Sequence, residues 1–194
     1  MAVASAPLTI EFAPLTAERW SDVERLFGLR GACAGCWCMA WRLRRGEWER
    51  GKGRANRAAF RRLVRKGPPP GILGYADGEA IAWCAVAPRS VYVQLERSRV
   101  LKPIDDEPVW SVSCLFVART YRRRGVSVAM LRAAGAFAAS YGARIVEGYP
   151  VEPASSKMAD AFAWTGTAAA FRAAGYEEVA RGSPKRPIMR LHVG

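Results

Sequence analysis

The stretch VWSVSCLFVA, residues 109–118, most limits what this chain can become. It is rich in β-branched and aromatic side chains with almost no polar interruption, the pattern of a strand covered on both faces. Directly behind it come RTYRRRG and then VSVAMLRAAGAFAASYGA, which reads as a helix to about Tyr141 with Gly142 as its stop. ARIVEGYPV (143–151) is a further strand, ended by Pro150 and Pro153. Strand, helix and strand in that order make a crossover, which requires a sheet with helices packed against it.

The flanking segments fit that frame. LTIEFAPL (8–15) reads as a strand, followed by a helix from about Thr16 to Leu29. RANRAAFRRLVRK spaces its arginines around Ala59, Phe60, Leu63 and Val64 as an amphipathic helix would, and GPPPG (67–71) ends it. ILGYADGEAIAWCAVAP carries two apolar runs around Asp77-Gly78, a hairpin signal. Residues 89–108 are polar and proline-punctuated, a long connection expected to fold over a site. TGTAAAFRAAG (165–175) is a short helix closed by glycine, and YEEVAR with RPIMRLHV supplies a hairpin across Gly182-Ser183-Pro184. The order predicts an α/β fold with one mixed sheet, and 194 residues suit one domain spanning 1–194.

No apolar run approaches the roughly 18 residues of a membrane span, and the N-terminus lacks a basic and then apolar leader. The expectation is a cytoplasmic protein with no membrane partner. Three of the five cysteines fall in CAGCWC, as Cys33, Cys36 and Cys38. They are read either as a metal or redox site or as reduced, partly buried thiols, with Trp37, Met39 and Trp41 beside them as pocket-lining candidates. The formal net charge is +13 and uneven: Arg42 to Lys66 holds eleven Lys or Arg against Glu47 and Glu49. That segment is either a solvated helix face or an attractor for a phosphorylated cofactor, an acidic acceptor or nucleic acid.

The turn before the long helix narrows the choice. A helix N-terminus presents unpaired N–H groups and a positive dipole end, which is where phosphate binds. Arg122, Arg123 and Arg124 add full charges there, a cost for the free chain that a bound pyrophosphate would relieve.

CLFVARTYRRRGVSVAMLRAA resembles the acetyl-CoA-binding motif of the GNAT superfamily of N-acetyltransferases: a strand, Q/R-x-x-G-x-G/A, then a helix. Arg122, Gly125 and Ser127 occupy the signature positions, serine replacing the usual Gly or Ala. AAAFRAAGYEEVA is similar to the family's closing helix and strand, with Gly175-Tyr176 in place of its Gly-Phe. The resemblance implies a mainly antiparallel twisted sheet of about seven strands flanked by about four helices. It also implies acetyl-CoA as cosubstrate, acetyl transfer to a primary amine by direct attack in a ternary complex, and no bound metal. Leu115, Phe116 and Val117 would hydrogen-bond the pantetheine arm as an added strand, an N–H near Val117 polarising the acetyl carbonyl. The amides from Arg123 through Arg124, Gly125, Val126 and Ser127 to Val128 would hold the pyrophosphate.

The catalytic side chains depart from the family pattern. The position of its usual tyrosine acid is Phe171, that of a common asparagine is Gly166, and that of a strand glutamate base is near Ser111. Glu147 and Tyr149, on one face of the strand by period-two alternation, are the expected replacements for base and acid. Asp105, Asp106 and Glu107 are an alternative base or amine-attracting patch, and Cys114 is expected in the core. Two other functions stay open: an RNA-directed acetyltransferase or RNA-binding protein using the 42–66 arginines, and a non-catalytic acyl-CoA sensor motivated by Phe171. The acceptor and the oligomeric state, a homodimer included, are left open.

Overall fold

The computed structural model describes residues 8–152 and 164–194. Its strands are β1 (Glu11–Pro14), β2 (Gly71–Ala76), β3 (Glu79–Pro88), β4 (Trp110–Val117), β5 (Ile145–Gly148), β6 (Glu177–Ser183) and β7 (Arg186–His192). They form a seven-stranded sheet in the order β1-β2-β3-β4-β5-β7-β6. Every neighbouring pair is antiparallel except β4–β5, which is parallel, as a crossover requires. That crossover is α5 (Val126–Ser140).

The remaining helices are α1 (Trp20–Phe27), α2 (Arg45–Arg50), α3 (Arg54–Lys66), α4 (Val93–Glu96) and α6 (Ala168–Ala173). Two are short additions to the expected set. In the basic segment α3 matches the expected helix, and α2 precedes it across Gly51–Gly53, where Gly53 takes φ +83°, a left-handed value that suits glycine. The connection 89–108 is not structureless, because α4 folds within it and buries Tyr92, Leu95 and Leu101 against Tyr149 and Ile188.

The central strand divides two cores. Val112, Leu115 and Val117 face Met130, Leu131 and Ala134 of α5 and Phe171 of α6. Cys114 and Phe116 face the other way, into an aromatic cluster with Trp20, Phe27, Trp37, Phe60 and Trp83. Cys114 is therefore core, opposite Leu115, as alternation predicts. One residue breaks that alternation. Ala85 pairs with Cys114 but Val86 pairs with Val112, so Ser113 is a bulge that bends β4 midway.

α3 has the predicted amphipathic form, Phe60 and Val64 inward and its arginines outward. Some of these cations have local work: Arg57 binds Glu24 (2.5 Å), and the Arg61 guanidinium lies 5.7 Å from the Trp20 ring. No helix among the described residues is long and apolar enough to cross a membrane.

Candidate active site

β4 and β5 pair only through Trp110–Val146, Ser111–Glu147 and Val112–Gly148. Beyond the bulge β4 runs on to Val117 while β5 stops at Gly148, so the two strands part and open a gap beside Ser113–Val117. Gly148 closes the base of this gap: a Cβ there would fall 2.0 Å from Cε1 of Phe171, so ring and backbone are in contact. The open edge of β4 is partly used. The Leu115 N–H donates to the Trp164 carbonyl (2.7 Å), and the Arg122 Nε donates to the Val117 carbonyl (3.0 Å). Because Ala118 bonds back to Ile81 on β3, alternation points the Val117 N–H into the gap, as it does that of Leu115.

The turn after β4 is a one-turn 3-10 helix, Arg119–Tyr121, followed by an extended Arg122. Arg123 (φ +59°) and Gly125 (φ +77°) are both left-handed, and Gly125 serves as N-cap of α5. Two left-handed residues within three turn successive amides toward one side, a concavity suited to an anion. Nothing lies within 4 Å of where a Cβ on Gly125 would stand, so the space above it is open to a ligand. The Val128 N–H already bonds the Gly125 carbonyl (3.0 Å), which leaves the amides before it as the free ones of the first turn.

A single cavity of about 890 Å³ joins gap and turn. It is lined by Leu115, Phe116 and Val117, and by Arg122, Arg123, Gly125, Val126 and Ser127. Arg124 and Val128 are not on its wall: the Arg124 guanidinium sits 5.5 Å from the Tyr121 ring centroid. Eight of the ten cofactor candidates thus line this one space.

The opposite wall comes from the Cys/Trp segment, through Cys33, Cys36, Cys38, Trp41 and Trp48, with Trp164 packed on Trp41 at 5.7 Å. Trp37 and Met39 instead turn into the aromatic core. The segment is irregular, with Ala34, Trp37 and Cys38 at positive φ, and is held by specific bonds. Asn56 Nδ2 donates to the Trp48 carbonyl (3.0 Å), Trp83 Nε1 to Cys38 Sγ (2.9 Å), and the Gln94 N–H to the Trp41 carbonyl (3.0 Å). Burial pushes the Cys36 thiol up to about 12 and raises Cys38 strongly as well, so both are neutral at pH 7. All five cysteines are free, and among the described residues no three His, Cys, Asp or Glu side chains gather as a metal-ligand group.

Glu147 and Tyr149 are brought together as alternation predicts, the tyrosine hydroxyl donating to Glu147 Oε1 (2.7 Å). They do not line the cavity. Glu147 is 1 % exposed and accepts from Arg89 Nη1 (3.2 Å) and Arg190 Nε (2.8 Å); Tyr149 accepts from Arg89 (2.6 Å) and meets Ser111 (2.8 Å). Burial and the neighbouring Glu147 raise the tyrosine above its ordinary range, making it a weaker acid. Here the geometry departs from the sequence expectation, because a general acid or base must reach the reacting proton directly or through one water. Asp105 lies off the cavity too: it holds Arg190, whose bidentate hydrogen bonds keep its carboxyl below the usual range. Arg89 and Arg190 gave no sequence signal, being scattered cations in a basic chain.

A family model described as Acetyltransferase (GNAT) family matches residues 37–162, which includes β4, the turn and α5. The chain belongs to this family. Solved structures of GNAT proteins share its fold across nearly their whole length. An acetyltransferase of the GNAT family from Listeria monocytogenes superposes at TM-score 0.58 with 8 % identity, over 98 % of this chain and 99 % of that one. A polyamine N-acetyltransferase from Drosophila melanogaster gives 0.56 at 11 % identity, covering 95 % and 100 %. The PaiA N-acetyltransferase from Thermoplasma acidophilum, solved in complex with coenzyme A, gives 0.52 at 13 % identity, covering 95 % and 99 %. No curated protein matched the chain. The family uses acyl-CoA, and the matched region includes both β4, which parts from β5, and the left-handed turn into α5.

Proposed function

We propose that this GNAT protein is an acetyl-CoA-dependent N-acetyltransferase that acylates a primary amine by direct attack in a ternary complex. One observation carries the reading: a continuous cavity runs from the Arg122–Ser127 turn along the open edge of β4 to the tryptophan wall. Its size suits a cofactor arm with an acceptor beside it.

The residues present fit acetyl-CoA. The amides between Arg123 and Ser127 and the Arg123 side chain would take the pyrophosphate. Ser127 is half-buried on the wall and adds a hydroxyl where the family has a smaller residue. Leu115–Val117 would hold the pantetheine arm, which has to take over the Leu115 N–H from the Trp164 carbonyl. When bound, the cofactor supplies an acyl group activated as a thioester. The Val117 N–H would polarise the acyl carbonyl, and the apolar walls exclude water that would hydrolyse it.

The attacking nitrogen sheds one proton and the departing sulfur takes up one, so the transfer balances without a residue that keeps either. Glu147 and Tyr149 act behind the wall in this reading: they lock β5 against Arg89 and Arg190 and so set the width of the gap. The main catalytic contribution is positioning.

The test is calorimetric titration with acetyl-CoA, paired with thiol release across a panel of primary amines. Gly125→Asp places a carboxylate against the pyrophosphate and is expected to weaken binding by about 100-fold or more. Gly125→Ala carries the same left-handed backbone demand without the charge, into open space, and is expected to stay within about tenfold of wild type. Equal affinities in wild type and Gly125→Asp would remove the pyrophosphate assignment. Tight acetyl-CoA binding with no thiol release on any amine would favour a sensor.

A further inference from the structure

The cations of α3 divide into two groups. Arg57 and Arg61 are engaged within the protein, by Glu24 and the Trp20 ring of α1. Arg54, Arg62, Arg65 and Lys66 are exposed, and among the described residues no carboxylate or aromatic ring meets them. None of the four lines the cavity. Helical periodicity sets them in two rows. With Phe60 at the centre of the buried side, Arg54 and Arg65 stand about 40–60° to one side of the outward crest. Arg62 and Lys66 stand about 20–60° to the other side, and the exposed Ala55 and Ala58 lie along the crest between them. The first row spans about 16 Å of helix. The platform is fixed where it begins, because the Gly53 N–H donates to the Gly35 carbonyl (2.9 Å) and the buried Asn56 Nδ2 to the Trp48 carbonyl (3.0 Å).

We infer that the outer face of α3 docks B-form DNA, seated in the major groove with one row of cations toward the phosphates of each strand. That groove is about 12 Å wide and admits a helix about 10–12 Å across, and alanines at the crest let the helix sit deep. Cations aimed at the groove walls and methyl groups at its floor bind the backbone without reading a sequence. Arginine, which supplies three of the four cations, meets phosphate through two parallel hydrogen bonds. Other polyanions fit this face less well. The outward arc of α3 holds only Arg, Lys and Ala, so it offers no ring on which unpaired bases could stack. The major groove of A-form RNA is too narrow for a helix. An anionic membrane needs apolar side chains on the outward face, whereas Phe60 and Val64 are buried. A protein partner needs an apolar anchor, and none of the exposed large hydrophobic residues lies on α3. The surface is separate from the cavity, so the inference stands apart from the transferase reading.

The experiment is fluorescence anisotropy of a labelled mixed-sequence DNA duplex, without cofactor, between about 50 and 200 mM salt. Wild type is expected to bind, with log Kd rising against log salt at a slope of about 3.6, from four phosphate contacts at about 0.9 each. The combined variant Arg54→Gln, Arg62→Gln, Arg65→Gln and Lys66→Gln is expected to bind at least about tenfold more weakly at the lowest salt and to lose most of that slope. A control of equal charge, Arg97→Gln, Arg99→Gln, Lys102→Gln and Lys185→Gln, removes exposed cations outside α3 and is expected to stay within about twofold of wild type. All eight side chains are exposed, so both variants keep the core. Equal losses in the two variants would overturn the inference, because net charge alone would then account for the binding. Absence of binding by wild type at the lowest salt would overturn it too. So would tighter binding of oligouridylate, duplex RNA, polyglutamate or phosphatidylserine vesicles than of the DNA duplex at matched salt.

Discussion

Replacing Glu147 by Gln separates a structural from a chemical role for the one buried carboxylate on β5. Glu147 is 1 % exposed, and both its oxygens are engaged: Oε1 by Arg89 Nη1 and the Tyr149 hydroxyl, Oε2 by Arg190 Nε. The amide is nearly isosteric, so packing is kept and charge is lost, and one oxygen becomes a donor facing an arginine. Removing one partner of a buried ion pair costs about 3–5 kcal/mol. The lower end applies here. Arg190 keeps Asp105, and Arg89 keeps Glu96 and the carbonyls of Leu95 and Leu101, so part of the orphaned charge is still met. About 3 kcal/mol corresponds to a midpoint lower by roughly 6–12 °C in a chain of this length. Thermal unfolding followed by circular dichroism reads the midpoint, and thiol release measured well below both midpoints reads the chemistry. The expected result is the full stability loss with turnover within about tenfold of wild type. A variant that melts with wild type but loses the 10²–10⁴-fold typical of a missing general base would refute the structural argument and restore the catalytic role expected from the sequence.

Two further outcomes follow from the same packing. Gly148→Ala drives a methyl into the Phe171 ring, where the Cβ would stand 2.0 Å from Cε1; a stability loss of about 1–3 kcal/mol is expected in urea unfolding, with Phe171→Leu in the same chain recovering part of it. Burial raises Cys36 to about 12 and also raises Tyr92, Tyr149 and Tyr176. Each of these groups keeps its proton longer folded than unfolded, so its stabilisation is complete below the unfolded value and is lost as pH rises toward the folded one. The urea midpoint should hold near neutrality and fall from about pH 9 upward, and a midpoint that rises over that range would contradict the burial of these groups.

Much of the architecture was legible because it is written in local signals. The apolar run 109–118, the glycine stops and the Asp77-Gly78 turn each act over a few residues, and they placed β4, α5 and the β2–β3 hairpin. The turn into α5 was legible for the same reason: Arg122, Gly125 and Ser127 lie within six residues of one another, and the backbone between them decides the shape. The Ser113 bulge was not, since a bulge depends on which residue of β3 pairs with which of β4. Nor was α2, a six-residue helix set apart from the expected α3 by Gly51–Gly53.

By itself the sequence determined the crossover, the placing of the arginine turn before α5 and the pairing of Glu147 with Tyr149 on one face, all consequences of chain connectivity and period. Only the tertiary structure decided which side of the sheet that face meets. Arg89, Arg190 and Asp105 are far apart in sequence, yet both arginines converge on Glu147 and Asp105 on Arg190, which makes the catalytic candidate also a buried counterion. Trp41 and Trp164, 123 positions apart in the numbering, likewise converge on one wall of the cavity. Burial and long-range charge pairing depend on the whole packed fold, and no window of residues carries that information.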